Sequence, residues 1–267
     1  MKKKRIIPIV LFRDGFVVQS KTFSEYRNLG NPYDSVRRLS EWGADEVCFI
    51  DIGAVGGNNL QRTDLGRLVI PTYLEVLEKV SETASMPLSS GGQIRTEGDI
   101  ADRLSRGADK VVIGAAAFGD TDFLSRAIKT FGSQCITVSM DIKNHQGLYR
   151  IFVDNGKRLI EGALNNWLGH FNQLEVGEIL LTSIDRDGTK IGFDLELVSY
   201  VAERLHVPLI ISGGAGKWED FEQVLEIEGV DAVAAANIFQ HIDQSVFLAH
   251  KYLYNNGINV RKPQLFR

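Results

Sequence analysis

Two adjacent apolar runs near the middle of the chain constrain its fold most strongly. The run that starts at Glu178 is followed by Asp185-Arg-Asp187-Gly188, and the run over 208–212 is followed by Gly213-Gly214-Ala-Gly216. An apolar run that ends in acids or glycines is typical of a buried parallel strand with functional groups at its carboxyl end. Glycines allow backbone N–H groups to approach a ligand closely. The segment therefore predicts a phosphate site beside acidic side chains.

The first half of the chain repeats this plan. Val47-Cys-Phe-Ile-Asp51 ends in an acid, and Pro87-Leu-Ser-Ser-Gly91-Gly92 ends in a glycine pair. The segment 107–118 likewise matches 229–239, and the offset between matching positions is nearly constant. A period close to half the chain excludes a short solenoid repeat. It predicts two similar halves of one closed structure.

Eight strand-like runs alternate with stretches of helical periodicity. The runs lie near residues 5–11, 46–51, 86–90, 110–114, 135–141, 178–184, 208–212 and 231–235. Helical periodicity is clearest over 34–42, 73–80 and 221–227. This alternation predicts a parallel sheet with right-handed crossovers. The shared plan of the two halves favours a closed (β/α)₈ TIM barrel, formed by residues 1–267 as a single domain, over an open doubly wound sheet.

Two segments interrupt the alternation. Residues 53–71 form a long polar, glycine-rich connection after a strand end, where barrels of this kind carry their chemistry. Residues 143–160 predict a hairpin, with a strand over Leu148–Val153 and a turn at Asp154-Asn155-Gly156. Both segments are expected at the carboxyl ends of the strands.

Composition and charge indicate which kinds of partner and which cellular compartment to expect. A net charge of −4 gives no electrostatic case for nucleic acid. The apolar run Ile6–Leu11 is too short to cross a membrane, and no cleavage site follows it, so we expect a cytoplasmic protein. Cys48 and Cys135 both fall in apolar runs and predict two buried thiols. The five histidines lack metal-ligand spacing, so neither a metal nor another cofactor is expected.

Five short motifs are shared with one known family. They are Arg5-Ile-Ile-Pro, Asp14-Gly15-x-Val17-Val18, Phe131-Gly-Ser-Gln, Leu181-Thr-Ser-Ile-Asp-Arg-Asp-Gly-Thr-Lys190 and Ser212-Gly-Gly-Ala-Gly-Lys217. In these motifs the chain resembles the cyclase subunit of imidazole glycerol-phosphate synthase, the HisF type. The resemblance implies a half-barrel-duplicated (β/α)₈ fold with a HisH-type glutaminase bound as a heterodimer at the amino-terminal face. Ammonia from that partner passes through the barrel and reacts with a phosphorylated nucleotide at the other face.

The resemblance also implies roles for particular residues. The catalytic residue that it implies is Asp141. The phosphate or substrate residues are Gly92, Asp187, Gly188, Ser212, Gly213, Gly214 and Asn237. The ammonia gate consists of Arg5, Glu46, Lys110 and Glu178, and the residue that contacts the glutaminase is Asp109. Charges at a barrel floor also occur as plain structural ion pairs, and that alternative stays open for the gate.

Several positions depart from the family pattern. The first-strand catalytic aspartate falls on Leu11, which has no proton to exchange, whereas general acid–base catalysis typically contributes roughly 10²–10⁴-fold. A loop lysine is Gln19, and the third glycine of the first-half phosphate loop is Gln93. An asparagine–threonine pair reads Gly114-Ala115. Asn237 stands where serine is usual.

Three functional hypotheses follow. The favoured one is a divergent paralogue that still receives ammonia but serves another nitrogen-transfer step, such as amidino-sugar formation in surface lipopolysaccharide synthesis. The second is the ordinary cyclase of histidine biosynthesis, with Asp141 or a loop residue compensating for Leu11. The third is a non-catalytic scaffold that activates the glutaminase.

Overall fold

Twelve strands occur in the residues that the computed structural model describes, 2–53 and 72–266. They are β1 (Arg5–Arg13), β2 (Phe16–Lys21), β3 (Glu25–Gly30), β4 (Val47–Asp51), β5 (Leu88–Gly91), β6 (Lys110–Ile113), β7 (Ile136–His145), β8 (Leu148–Val153), β9 (Arg158–Leu159), β10 (Glu178–Ser183), β11 (Leu209–Ser212) and β12 (Val230–Ala235). Eight of them pair in parallel around a ring, in the order β1, β4, β5, β6, β7, β10, β11 and β12. The pairing of β12 with β1 closes the ring, which confirms the (β/α)₈ barrel.

Helices surround this barrel. They are α1 (Pro32–Glu41), α2 (Tyr73–Thr83), α3 (Glu97–Ser105), α4 (Ala116–Gly119), α5 (Thr121–Phe131), α6 (Leu164–Leu174), α7 (Leu195–Ala202), α8 (Trp218–Leu225), α9 (Ile238–His241) and α10 (Ser245–Asn255). Asn31 caps α1 and Thr72 caps α2, which fixes where each begins. Across the described ranges, no helix has the length and hydropathy needed to cross a membrane.

The apolar side chains form two layers because successive residues of a strand face opposite sides. The larger layer lies between the strands and the helices. The smaller one fills the barrel interior and consists of Ile7, Ile9, Cys48, Val112, Leu180, Ile210, Ala232 and Ala234. The two residues that β12 contributes are alanines, so the inner layer is thinner on that side of the barrel.

The repeat in the sequence is also a repeat in the structure. The Asp99 carboxylate accepts hydrogen bonds from the backbone amides of residues 95 and 96. In the second half, the Asp220 carboxylate accepts hydrogen bonds from the amides of residues 216 and 217 in the same way. This bonding explains why the helix predicted over 221–227 begins earlier, at Trp218. These matching bonds show which residues of the two glycine-rich loops correspond to each other.

Two hairpins extend the sheet beyond the barrel. The one that was predicted is present, because β7 continues to His145 and pairs with β8 in antiparallel orientation. The hairpin of β2 and β3, which continues directly from β1, was not predicted. Of the predicted long connection, residues 54–71 lie outside the described part of the chain.

One sequence interpretation was wrong. Cys48 is buried, but Cys135 is only partly buried because it lies in a short 3₁₀ turn before β7 begins at Ile136. The Asp185 carboxylate accepts a hydrogen bond of 2.7 Å from the backbone amide of Asn144, which ties the β7–β8 hairpin to the end of β10.

Candidate functional site

A pocket of about 590 Å³ opens at the carboxyl ends of the barrel strands. All eight residues proposed from the sequence for catalysis and ligand binding line it: Gly92, Asp141, Asp187, Gly188, Ser212, Gly213, Gly214 and Asn237. Leu11 lines it as well. The strands bring these positions together because parallel barrel strands end at one face, which is the face where such barrels bind ligands.

Asp141 is a half-buried carboxyl group in the lining of the pocket. It is held by a 3.3 Å hydrogen bond from Ser139 Oγ. Burial raises the pKa of Asp141 to about 7, and the nearby Asp187 charge adds to this, while hydrogen bonds from Ser139 and Thr182 oppose it. A carboxyl group with a pKa near neutrality can give or take a proton at physiological pH. Leu11 supplies no second proton-exchanging group in this pocket.

The Asp187 carboxylate attaches the β2–β3 hairpin to the second half of the barrel. Ser20 Oγ donates to its Oδ2 over 2.9 Å, and the Thr22 amide donates to the Asp187 carbonyl over 3.0 Å. Asn237 Nδ2 donates to the Ser20 carbonyl over 2.9 Å. Burial raises the pKa of Asp187, although the hydrogen bond from Ser20 and those from the backbone of the hairpin oppose this. The hairpin therefore forms part of the pocket wall.

The second-half loop requires its glycines. Gly213 and Gly214 have φ angles of 91° and 117°, where L side chains are strained. A Cβ atom on Gly213 would lie 2.6 Å from the Ser183 carbonyl oxygen, and one on Gly214 would lie 2.2 Å from the Gly192 carbonyl oxygen. Within the described residues, the amides of 213–215 donate to no protein group. They are therefore available to a ligand with acceptor oxygens.

The first-half loop repeats the positive φ of the second-half loop at its first position, but it carries different side chains. Gly92 has a φ of 92°, and its Cβ would lie 2.0 Å from the Asp51 carbonyl oxygen. Gln93 has a φ of 54°, and its Nε2 donates to Asp51 Oδ2 over 2.8 Å. Behind the loop, the buried Arg103 donates to the Gly92 carbonyl over 2.7 Å. The Gln93 side chain and the Asp51 carboxylate therefore lie beside the first-half loop, in the lining of the pocket.

At the opposite end of the barrel, the four predicted gate residues form a closed ring. Arg5 Nη1 lies 2.7 Å from Glu46 Oε2, and Arg5 Nη2 lies 2.5 Å from Glu178 Oε1. Lys110 Nζ lies 2.9 Å from both Glu46 Oε2 and Glu178 Oε2. Ser89 Oγ donates to the remaining Glu46 oxygen. We call these four charged residues the floor ring.

The floor ring is electrostatically balanced. Burial by itself would lower the pKa of Arg5, but attraction to Glu178 and Glu46 outweighs it, so this pKa is raised. The pKa of Lys110 is raised in the same way, with Glu46 and Glu178 outweighing its burial. Both cations therefore stay charged at neutral pH. Partly buried charges need such partners, because an unpaired one is costly to desolvate.

A second, much smaller cavity of about 10 Å³ lies directly above the floor ring, with room for about one water-sized molecule. It is lined by Ile7, Glu46, Cys48, Ser89, Val112, Thr137, Leu180, Ile210 and Ala234. Val112 and Leu180 also line the upper pocket, so the two spaces adjoin at these side chains. A small neutral molecule would have a short apolar route between them.

Asp109 adjoins the floor ring through Lys110. It is exposed, and its Oδ2 accepts a 2.8 Å hydrogen bond from the Leu88 amide. Asp231 does the same for Leu209 in the second half, over 3.1 Å. One Asp109 oxygen is thus bonded to the backbone of the chain. The residue lies at the floor, which is where the glutaminase contact was expected.

Sequence reasoning missed several groups at the upper pocket. Phe23 and Tyr26 reach it from the unpredicted β2–β3 hairpin, and Arg95 and Lys157 bring positive charge. Arg13 lies over the Tyr26 ring at 4.7 Å from its centre. The Asp14-Gly15 pair ahead of Phe16-Val17-Val18, a two-residue turn signal before a β-branched run, was the available signal for the turn into this hairpin. No sequence spacing connected it to the pocket, since it meets the second half only in three dimensions.

Known proteins resemble this chain over nearly its whole length. The profile of the family described as histidine biosynthesis protein matches residues 5–244. Imidazole glycerol phosphate synthase subunit HisF of Dehalococcoides mccartyi is 39% identical over 261 residues, which cover 98% of this chain and 99% of that protein. The HisF of Campylobacter concisus is 39% identical over 258 residues, covering 97% and 98%. The HisF of Sulfolobus acidocaldarius is 38% identical over 261 residues, covering 98% and 100%.

Proposed function

Since the chain belongs to the histidine biosynthesis protein family, we propose that it is a HisF-type synthase subunit that has lost most of the cyclisation chemistry. In this proposal it takes ammonia from a glutaminase at its floor and delivers it to an acceptor at its upper pocket. One observation carries the proposal. The floor ring of Arg5, Glu46, Lys110 and Glu178 is complete, whereas Leu11 faces the pocket that holds Asp141.

In this proposal the upper pocket lacks one of the two carboxyl groups that the cyclisation reaction of the family uses. Asp141 has a pKa of about 7 and can serve as one of them. Leu11 cannot serve as the other, and loss of one such group typically costs roughly 10²–10⁴-fold in rate. A reaction that needs a single proton-exchanging group remains compatible with this pocket. Addition of ammonia to an activated carbon is one such reaction.

The route for ammonia is supported by the layered arrangement of the barrel interior. The floor ring closes the amino-terminal end, and the small cavity follows it. That cavity adjoins the upper pocket at the side chains of Val112 and Leu180. Neutral ammonia can cross an apolar layer that would exclude ammonium, because an unpaired charge is costly to desolvate.

The glutaminase and the acceptor are the two partners in this proposal. The glutaminase would bind at the floor beside Asp109 as a heterodimer. The acceptor would be a small phosphorylated molecule in the upper pocket, or a third protein that takes the ammonia onward. Amidino-sugar formation for surface polysaccharide is the pathway that we favour, because it needs nitrogen transfer without imidazole ring closure.

Blocking the small cavity tests whether ammonia reaches the upper pocket through the barrel. We would co-purify the chain with a glutaminase and measure glutamate and nitrogen transfer separately in wild type and in Ala234→Ile, which fills the small cavity. Glutamate formation should continue while delivery of ammonia to the upper pocket falls. Cys48→Ala widens the same part of the barrel and serves as the matched control. The proposal would be refuted if ammonia delivery fell equally in both variants, or if the chain bound no glutaminase.

Two alternatives give different results. The ordinary cyclase would turn over the histidine-pathway nucleotide with ammonium salt at rates typical of its relatives. Asp141, with its raised pKa, is the observation that favours this alternative. A pure scaffold would raise glutaminase activity in wild type and in Ala234→Ile alike, with no nitrogen reaching any acceptor in either.

A further inference from the structure

Strand β7 carries polar side chains along its inner face, from the small cavity above the floor ring up to the upper pocket. We infer that the small cavity is a binding site for one molecule of neutral ammonia, and that the Thr137 hydroxyl is the group that binds it. The inference rests on the proposed function, because it names the place inside the barrel where ammonia is held.

The side chains of β7 alternate between two layers. Its outward-facing residues belong to the buried layer beneath the helices: Ile136, Val138, Met140 and Ile142. Thr137, Ser139 and Asp141 alternate with them and face the barrel interior, because successive side chains of a strand point to opposite faces. Thr137 lines the small cavity, whereas Ser139 and Asp141 line the upper pocket. The three polar side chains therefore form a column that leads from one space to the other.

Most of the barrel wall has no such column. Among the described residues, the apolar interior layer draws on β1, β4, β6, β10, β11 and β12, and it takes no residue from β5 or β7. On β5 the Ser89 side chain lines the small cavity instead. The cavity thus has hydroxyl groups from two strands and apolar side chains over most of the remaining wall. This combination suits a small, uncharged molecule that both donates and accepts hydrogen bonds.

The Thr137 hydroxyl points to a ligand because it lacks a protein partner. Thr137 is 2% exposed, and over the ranges that the structure describes its hydroxyl makes no hydrogen bond to the protein. Ser89, by contrast, donates to Glu46. Buried polar groups are normally hydrogen-bonded, because an unsatisfied one costs its full desolvation penalty. Ammonia in the cavity would satisfy Thr137, since its nitrogen lone pair can accept a hydrogen bond from the hydroxyl.

The floor ring favours the neutral form of this ligand. Glu46 Oε2 already lies 2.7 Å from Arg5 Nη1 and 2.9 Å from Lys110 Nζ, and the other Glu46 oxygen accepts from Ser89. Ammonium would approach two cations without an unpaired carboxylate to balance it, which is costly in a desolvated space. The volume of about 10 Å³ holds about one molecule the size of water, which ammonia matches and methylamine exceeds.

Ser139 continues the column from this site to Asp141. In the register of β7 with β10, Ser139 lies opposite Leu180, which lines both the small cavity and the upper pocket. Ser139 Oγ donates to Asp141 Oδ1 over 3.3 Å. Ammonia that leaves Thr137 past Leu180 therefore meets the Ser139 hydroxyl next, and then the carboxyl group of Asp141. The site thus holds ammonia on the side of the barrel where the upper pocket can exchange a proton.

Titration of the full chain with ammonia tests the site without a glutaminase. We would label the methyl groups of alanine and isoleucine with carbon-13 and follow Ala234 and Ile210 by NMR, since both line the small cavity. Ammonium chloride at alkaline pH, where ammonia predominates, should shift both signals in a saturable way. The same salt at neutral pH should shift them far less, and potassium chloride or methylamine at alkaline pH should not shift them. Absence of a saturable shift with ammonia, or an equal shift with potassium chloride, would overturn the inference.

Substitutions at Thr137 identify the binding group. Thr137→Val keeps the shape and removes the hydroxyl, so it should weaken ammonia binding at least about threefold. Thr137→Ser keeps the hydroxyl and should bind ammonia within about twofold of wild type. Ala234→Ile fills the cavity and should abolish the shift of Ile210, which provides a second test if Thr137→Val does not fold. Equal binding by Thr137→Val and wild type, or an undiminished shift in Ala234→Ile, would overturn the inference.

The outcome for the proposed function can be read separately. Saturable ammonia binding in a chain that binds no glutaminase, or that delivers no nitrogen from one, would refute the proposed function and leave the site in place. Delivery through the barrel without saturable binding at Thr137 would overturn the inference alone. In the complex with a glutaminase, Thr137→Val should lower nitrogen transfer while glutamate formation continues, and Thr137→Ser should behave like wild type.

Discussion

Arg5 and Glu178 are separated by 173 positions in sequence, yet Nη2 of the first lies 2.5 Å from Oε1 of the second. Their strands, β1 and β10, start on different sides of the barrel floor. The ion pair therefore spans the barrel opening, and Glu46 and Lys110 complete the ring between them. A barrel that used its floor only for apolar packing would not need this arrangement.

Breaking the floor ring should destabilise the chain. In Glu178→Ala, Arg5 and Lys110 each lose one of their two partners, and we expect a loss of roughly 1–3 kcal/mol in the free energy of unfolding. Urea denaturation measures it. The exposed pair of Arg37 and Glu41 provides the control, because Glu41→Ala should change stability by less than about 0.5 kcal/mol. Similar effects in the two variants would mean that the ring is not a coupled unit.

The raised pKa of Asp141 predicts an unusual pH dependence of stability. Its folded pKa of about 7 lies above its unfolded value, so the folded chain binds the extra proton between these two values. The stabilisation is complete below the unfolded pKa and is lost as pH rises through about 7. Asp141→Asn is neutral at every pH, so it should become more stable relative to wild type between pH 5 and 8, by roughly 1–3 kcal/mol. Chemical denaturation at both pH values gives the comparison; a pH-independent difference would count against the raised pKa.

Restoring an acid at position 11 should return part of the cyclase chemistry. Leu11→Asp together with Gln93→Gly is expected to raise turnover of the histidine-pathway nucleotide with ammonium salt by at least about tenfold, because a second proton-exchanging group becomes available. Leu11→Asn with Gln93→Gly has nearly the same shape but cannot exchange a proton at neutral pH, and it should stay at the wild-type rate. Equal rates in the two double variants would show that the missing carboxyl group is not what limits cyclisation.

The β2–β3 hairpin should loosen when its bond to Asp187 is removed. Ser20→Ala deletes the 2.9 Å hydrogen bond and leaves a carboxylate oxygen without that donor. We expect amide hydrogen exchange over residues 16–30 to quicken by about five- to tenfold, which corresponds to roughly 1 kcal/mol. Ser24 is exposed in the same hairpin, and Ser24→Ala should leave exchange nearly unchanged. Unaltered exchange in Ser20→Ala would place the restraint elsewhere.

Glycine at position 213 should be essential for folding of the second-half loop. A Cβ there would lie 2.6 Å from the Ser183 carbonyl oxygen at a φ of 91°, so Gly213→Ala should cost more than about 2 kcal/mol. Gly119 has open space around a Cβ and an ordinary φ, so Gly119→Ala should be neutral or slightly stabilising. Thermal and urea unfolding of the two variants side by side give the answer. A mild effect at Gly213 would mean that the loop can shift away from Ser183.

The hairpin β2–β3 and the partner of Asp185 show where sequence reasoning stopped. The Asp14-Gly15 turn signal before this hairpin was visible, but the contacts of the hairpin with Asp187 and Asn237 depend on how the chain closes on itself. The Asp185 carboxylate likewise accepts its hydrogen bond from a backbone amide on another strand. The exposure of Cys135 depends on where β7 begins, and apolar patterning places strand ends only approximately.

The sequence by itself determined the barrel, its eight strands and the acids and glycines at their carboxyl ends, whereas the charged residues at the floor were expected only from the resemblance to the HisF type. Periodicity and strand-end acids or glycines are local signals, and parallel strands carry those strand ends to the same face. Only the tertiary structure decided which of these residues touch. The ring at the floor, the hydrogen bond from Gln93 to Asp51 and the pKa of Asp141 all depend on distances and burial between segments far apart in the chain. No local pattern encodes those quantities.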